Sequence, residues 1–447
     1  LAAAAGASSL ALILTGCGSD AEEGASGDAS SPAGGDACAA YAEYGDLTGK
    51  TVTVYTSIVA PEDQPHIDSY KPFEECTGAK VTYEGSKEFE AQLKVRAEAG
   101  NPPDIAYIPQ PGLLATLVDQ GYVKPAPAPV SANVDEFWSA DWKNYGTVDG
   151  TFYAAPLGAN VKSYVWYSPS MFETNGWQIP TTWDELKTLT TAIAESGVVD
   201  KPWCAGIGSG DATGWPATDW MEDVMLRLHG PEVYDQWITN EVKFNDPKVA
   251  QALDEVGWFL KDDKHVNGGL GDVKTIASTA FQEGGLPILQ GTCAMHRQAS
   301  FYGSNFAEAG ANIAPDGDVW AFYLPSASDA KPVLGGGEFV GAFADRPEVQ
   351  AFQAYLASDE WANEKAKVSP AGWVTANKGA DPNLFKGIDK VSVEILQDPA
   401  TQFRFDASDL MPAAVGSGTF WTGMTDWITG KGTQETLDFI QAGWPAQ

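Results

Sequence analysis

The chain has 447 residues, 44% of them apolar, with 27 lysines and arginines against 60 aspartates and glutamates, a formal charge of -33 at pH 7. That charge argues against nucleic acid, whose binding is dominated by phosphate neutralisation, and against anionic lipid surfaces. Acidity otherwise indicates little more than a soluble protein outside the cytoplasm.

The first element in chain order, LAAAAGASSLALILTGC (Leu1 to Cys17), has an apolar core of secretory h-region length with small residues just ahead of the cysteine. It is too short to span a bilayer, so residues 1–17 are expected to be a processed signal segment. No initiator or basic region precedes Leu1, which points to residues missing upstream. The LTGC ending resembles a bacterial lipobox, in which the cysteine becomes the lipidated first residue of the mature protein; an ordinary signal followed by a free thiol is the alternative. Gly18 to Ala37 has almost no large apolar side chain and cannot offset the entropy of ordering itself. A flexible tether is expected over 18–40, which suits a body working just outside a membrane.

About 400 residues remain, enough for two ordinary domains. KTVTVYTS (Lys50 to Ser57), AKVTYEG (Ala79 to Gly85) and PDIAYIP (Pro103 to Pro109) read as strands, and KEFEAQLKVRAEAG before the third reads as a helix. Asp149-Gly150 marks a tight turn. Thr182 and Glu185 have capping-box spacing, and Trp183, Leu186, Leu189 and Ile193 share one face of the helix they begin. VWAFYLP (Val319 to Pro325) and FVGAFA (Phe339 to Ala344) are extended, and Pro347 starts a helix carrying Val349, Phe352 and Leu356. The pattern is α/β, with no Gly/Ser linker after Lys50, so two lobes would be joined by crossing segments.

Five cysteines leave one over after disulfides, and Cys17 takes the lipid role. The other four allow three pairings. Nearest-in-sequence pairing, Cys38 with Cys76 and Cys204 with Cys293, is preferred, each loop contributing roughly 3 to 5 kcal/mol. Metal ligation fails on spacing, and His66, His229, His265 and His296 are scattered.

The chain carries no GxSxG elbow, P-loop, HExxH or CxxC. What it carries is aromatic residues interleaved with single polar ones: GWPATDWMED (Gly214 to Asp223), PAGWVTANK (Pro370 to Lys378), and FRFDASDLMP leading to GTFWTGMTDW (Phe403 to Trp427). A sugar ring asks for that mixture, because its C-H face stacks on an aromatic ring while its hydroxyls each want a carboxylate, amide or guanidinium. Any single tryptophan is more often core packing, since indole is usually buried.

These stretches, with DIAYIPQPG, YAAPLGANVKSYVWYSPSMF, GTCAMHRQASF and KPVLGGGEFVGAF, resemble the α-glucoside-binding lipoproteins of bacterial ABC importers, within the extracellular solute-binding family that also holds maltose-binding proteins. The resemblance runs from Thr51 to Gly443. It implies a two-lobed periplasmic-binding-protein-like α/β fold with a central cleft and three interlobe crossings, near Pro156 to Val161, Gly335 to Val340 and Gly372 to Asn377. Lobe one would then be 41–159 plus 340–372, and lobe two 160–339 plus 373–447.

Carried over position by position, the resemblance implies ligand contacts at Glu62, Gln110, Asp219, Trp220, Arg297, Phe301, Gly336, Glu338, Trp373, Arg404 and Trp421. Gln110 stands where many relatives have aspartate, and a structural ion pair of Arg404 with Asp406 or Asp409 is the competing reading. No cofactor, metal or catalytic residue is implied. The implied protein is a monomer, anchored by lipid to the outer face of the cell membrane, that binds an α-glucoside or oligosaccharide by hinge closure and delivers it to ABC permease subunits. A secreted glycosidase, needing only two suitably spaced carboxylates, and a sugar sensor or adhesin without an importer partner are the alternatives.

Overall fold

The computed structural model describes residues 38–326, 331–398 and 400–445. Cys17 and the proposed tether to residue 37 lie outside them. The described residues from Ala40 onward form one compact unit.

A five-stranded sheet runs in the order Lys80–Gly85, Thr51–Thr56, Ile105–Ile108, Phe339–Ala342, Ala154–Pro156. Its first three strands are parallel, and Phe339–Ala342 enters antiparallel between Ile105–Ile108 and Ala154–Pro156. All four residues of Ile105–Ile108 are buried, as the central strand of a sheet covered on both faces must be. The helix Phe89–Glu98 packs Phe89, Leu93 and Ala97 inward. A second, four-stranded sheet runs Trp320–Tyr323, Tyr164–Tyr167, Cys293–Arg297, Lys201–Trp203. Each sheet has its own large apolar core. One is built on Val52, Val54, Tyr107, Phe352 and Tyr355, and the other on Val165, Trp203, Trp220, Phe259 and Trp427.

The backbone passes between the two cores at Pro156 to Asn160 and at Gly336 to Phe339, and Ala159 pairs with Val374. A third sheet, Thr401–Phe405, Lys331–Gly336, Asn160–Val161, knits these passages together. Gly158 sits in the first of them. A Cβ there would lie 3.1 Å from the Trp373 indole nitrogen and 3.3 Å from Glu338 Oε2, so the bare backbone is what lets the crossing lie so close to both.

Most local expectations hold. Thr182 and Glu185 form the capping box of the helix Trp183–Ser196. Asp149 and Gly150, with φ of 49° and 76°, close a two-residue hairpin between Thr147–Val148 and Thr151–Phe152, the left-handed pair such a turn requires. Cys204 and Cys293 are bonded, with Cα atoms 5.8 Å apart, and Cys38 and Cys76 are both disulfide-bonded.

The sequence reading missed a long helix, Trp215–Ile238, with a break at Gly230 (φ 76°) before Pro231. Its residues Pro216 to Arg227 are all buried, yet Thr218, Asp219, Glu222, Asp223 and Arg227 recur at helical spacing opposite Ala217, Trp220, Met221, Val224 and Met225, a period present in the sequence but read there as an aromatic and polar sugar motif. Among the described residues, no helix is long and apolar enough to cross a membrane.

Candidate ligand cleft

The parallel strands Thr51–Thr56 and Ile105–Ile108 end at Ser57, Ile58, Pro109 and Gln110, and these residues form one wall of a cleft. The carboxyl end of such strands is where open α/β sheets bind ligands, because the loops there diverge and leave a crevice. Asn160, Lys162, Trp215, Phe281, Phe301, Asp406, Asp409 and Trp421 line the rest. The cavity is about 150 Å³. Since one water needs roughly 10–15 Å³, it holds a ligand of many atoms rather than a single bridging water.

Six of the expected contact residues come together here: Glu62, Gln110, Phe301, Gly336, Glu338 and Trp421. Five do not line the cleft. Trp220 is 3% exposed and packs edge-on to Trp203 at 5.4 Å and against Phe259 at 5.5 Å, so its ring belongs to the second core. Asp219 is fully buried behind the cleft floor, accepting from Lys162 at 3.0 Å and Arg297 at 3.3 Å. Arg297 also donates to Asp223 at 2.8 Å, and Asp223 in turn pairs with Arg227. Trp373 lies beside the cleft, edge-on to Trp361 and stacked on Phe385 at 6.0 Å. Arg404 is partly exposed and forms a two-pronged ion pair with Asp235 at 2.7 and 2.9 Å, not with Asp406 or Asp409.

The cleft also gathers residues the sequence did not single out. Trp215, one turn from Asp219 and Trp220, meets Phe281 at 5.0 Å and Phe301 at 5.9 Å, and this trio supplies an aromatic wall. Quoting GWPATDW was enough to flag the segment, but only its helical phase decides which tryptophan faces the cleft. Lys162 reaches the cavity with its ammonium 5.5 Å from the centre of the Trp215 ring. A Cβ on Gly336 would meet Lys162 Cε at 3.1 Å, so this glycine leaves the lysine its path.

Electrostatics divide the cleft. Lys162 bridges Asp219 and Asp406, the latter at 2.5 Å. Burial pushes Asp219 up to about 7 against the pull of Lys162, whereas at Asp406 Lys162 and three hydrogen bonds overcome burial and hold the carboxyl at about 2. Glu222 accepts backbone N–H bonds from Ala407 and Ser408 at 3.0 and 3.1 Å, tying the short helix Ala407–Leu410 to the floor. Asp219, Glu222 and Asp406 converge within 4.8 Å of one another in a way that could hold a metal ion, yet the Lys162 ammonium already supplies positive charge to two of them.

On the other wall, burial and the neighbouring Glu338 push Glu62 up to about 8, while burial brings the Lys365 ammonium behind it down to about 7. Three cleft residues carry buried polar atoms with no protein partner: Oε2 of Glu90, Oε1 of Gln110 and Nε1 of Trp421.

Two separately cored sheets with an aromatic and carboxylate-lined cleft at the crossings are the architecture of a periplasmic-type solute-binding protein. Residues 54–363 match the family described as bacterial extracellular solute-binding protein, and the chain belongs to that family. It is 40% identical over 416 residues to the alpha-glucosides-binding periplasmic protein AglE of Rhizobium meliloti (strain 1021), covering 89% of this chain and 88% of the relative. It is 36% identical over 407 residues to the osmoprotective compounds-binding protein GgtB of Synechocystis sp. (strain ATCC 27184 / PCC 6803 / Kazusa), covering 90% and 94%.

Among solved structures it is similar to maltose-bound T. maritima MalE3, with a TM-score of 0.69 at 17% identity over 88% of this chain and 98% of that one. It is also similar to a chitin oligosaccharide binding protein, with a TM-score of 0.73 at 19% identity over 88% and 97%. At these identities the likeness is one of fold. The protein is an extracytoplasmic solute-binding protein and not an enzyme.

Proposed function

We propose that the protein is the sugar-capturing component of an ABC importer and that its ligand is an α-glucoside or α-gluco-oligosaccharide. The observation that carries this reading is the pairing of the Trp215–Phe281–Phe301 wall with buried, partnerless polar atoms on Glu90, Gln110 and Trp421. A buried polar atom without a partner costs about 1–3 kcal/mol, and a ligand rich in hydroxyls removes that cost while stacking its C-H face on the rings. The similarity to AglE, over nearly the full length of both chains, points to α-glucosides.

The two cores act as lobes, 41–159 plus 340–372 and 160–339 plus 373–447, which close over the sugar about the crossing segments. The ligand shifts this equilibrium by its differential affinity for the closed form. The closed, loaded shape is what permease subunits recognise, with Cys17 lipidated and residues 18–37 as the leash that keeps the monomeric body beside them, the expected tether being shortened by the disulfide-bonded Cys38 and the helix from Ala39. Of the sites, Glu62, Gln110, Phe301, Gly336, Glu338 and Trp421 contact the sugar.

Calorimetric and tryptophan-fluorescence titration of the purified protein against α-glucosides, with β-glucosides and non-sugar osmolytes as controls, tests this. Saturable one-to-one α-glucoside binding without hydrolysis is expected. Binding of a non-sugar osmolyte with none of any α-glucoside would overturn the ligand class in favour of the kind of solute named for GgtB. Mass spectrometry of membrane-extracted protein, showing a diacylglyceryl adduct on Cys17 or a free thiol there, decides the anchor.

A further inference from the structure

Five carboxylates, Glu62, Glu90, Glu338, Asp406 and Asp409, line the cleft against a single cation, Lys162. That cation is already committed to Asp219 and Asp406. Behind the opposite wall, Lys365 acts on Glu62 and Glu338. Glu90 and Asp409 are left without a cation of their own.

They come from different elements, the helix Phe89–Glu98 and the short helix Ala407–Leu410, and the charge of Glu90 raises Asp409 further. The other charged groups acting on them are mostly acidic: Glu88 and Asp211 on Glu90, and Asp406 and Asp219 on Asp409, with Lys162 the one opposing charge. Burial, the largest cause at both, favours their neutral forms. One oxygen of Glu90 accepts from Gln110 Nε2 at 3.0 Å and the other has no protein partner. Gln110 is 4% exposed, and its own Oε1 is also unpartnered.

We propose, resting on the sugar-binding reading above, that Glu90 and Asp409 form a cation subsite: the cleft takes a glucoside carrying a basic nitrogen in preference to its neutral parent and rejects one carrying an acid group. An ammonium has donors for the open oxygens of Glu90 and Gln110, and its charge stabilises the ionised carboxylates that burial disfavours. To the extent that burial holds either carboxyl neutral in the free cleft, amine binding releases that proton to solvent. A uronate would add like charge to a cleft whose lysine is already taken.

The test is calorimetry of the purified protein with maltose, with its mono-amino-deoxy derivatives substituted at successive carbons, and with the matching uronic acid, each in two buffers of different ionisation enthalpy. At least one amine is expected to bind about tenfold or more tighter than maltose, the scale of one hydrogen bond to a charged group, with buffer-dependent heat reporting proton release. The uronate should bind at least about tenfold more weakly than maltose. In Glu90→Gln the amine-to-maltose affinity ratio should fall toward one, and Asp409→Asn repeats the test from the other side.

Maltose binding with no amine gaining on it, or a ratio that survives both substitutions, would overturn the subsite alone. Failure of maltose and every derivative, with no α-glucoside of the titration panel binding either, would take the sugar reading down with it.

Discussion

The two sides of the cleft use the same side chains to opposite ends. On the floor, Asp219, Asp223, Glu222 and Asp406 are each answered by Lys162, Arg297, Arg227 or a backbone N–H. On the facing wall, Glu90 and Gln110 keep buried oxygens open. Saturated carboxylates hold a structure in place, because every group that burial penalises has its compensation within the fold. Open ones store that compensation for something that arrives later. A carboxylate near a cleft is thus assigned by what already satisfies it, and Asp219, which looked like a ligand acceptor in the sequence, fails that criterion.

The sharpest way to break this contrast is at the floor. Lys162→Met leaves Asp406 a buried charge without a cation and Asp219 with Arg297 alone, and should cost about 3–5 kcal/mol of stability, measured by denaturant unfolding; a loss below about 1 kcal/mol would mean water reaches that network. Trp220→Ala should cost a comparable 3–5 kcal/mol as a core deletion, with the remaining folded protein binding sugar at near wild-type affinity. Trp215→Ala should do the reverse, leaving unfolding little changed and weakening sugar binding by about 2 kcal/mol, roughly thirtyfold. If both tryptophans moved affinity equally, the helical phase assigned here would be wrong.

Protonation sharpens the comparison at smaller scale. Glu62 titrates at about 8 in the folded protein against an ordinary 4.5, so the folded state holds a proton that the unfolded chain loses between those values. Its contribution to stability therefore falls as pH rises across that window, and Glu62→Gln should flatten the decline in melting temperature between pH 5 and 8 relative to the parent. Asp406, held at about 2 against an ordinary 3.8, works in the other direction: its contribution is full above 3.8 and is lost as pH falls through 2. The smallest effect belongs to Arg404→Ala, which removes only a partly exposed pair with Asp235 and should change stability by less than about 1 kcal/mol and sugar affinity not measurably.

Local signals carried much of this. The alternation in KTVTVYTS, the Thr182/Glu185 cap and the Asp149-Gly150 turn follow from neighbours in the chain, and each appears within a residue or two of where it was expected; the Cys204–Cys293 pair, 89 residues apart, followed only from the order of the cysteines. Glu62, Gln110 and Glu338 entered through the family resemblance, and the structure finds them after strand ends or at a crossing, positions that an α/β fold turns into cleft walls. The helix Trp215–Ile238 was not read, although Asp219, Glu222, Asp223 and Arg227 recur at helical spacing; only the fold shows that this polar face meets Lys162 and Arg297 rather than solvent. With its phase unseen, Trp220 was chosen where Trp215 lines the cavity, and Phe281, in an irregular stretch without a motif, gave no signal at all.

The sequence by itself determined the α/β pattern, the segments that carry the site and the family that those segments resemble, because each depends on short-range periodicity or on residue order. Which aromatic faces the cavity, which carboxylates are neutralised by Lys162 and Arg297, and which polar atoms stay open were decided only by the tertiary structure. Those properties depend on contacts between residues tens to hundreds of positions apart, and the sign and strength of a buried charge's interactions are set by whatever the fold brings beside it.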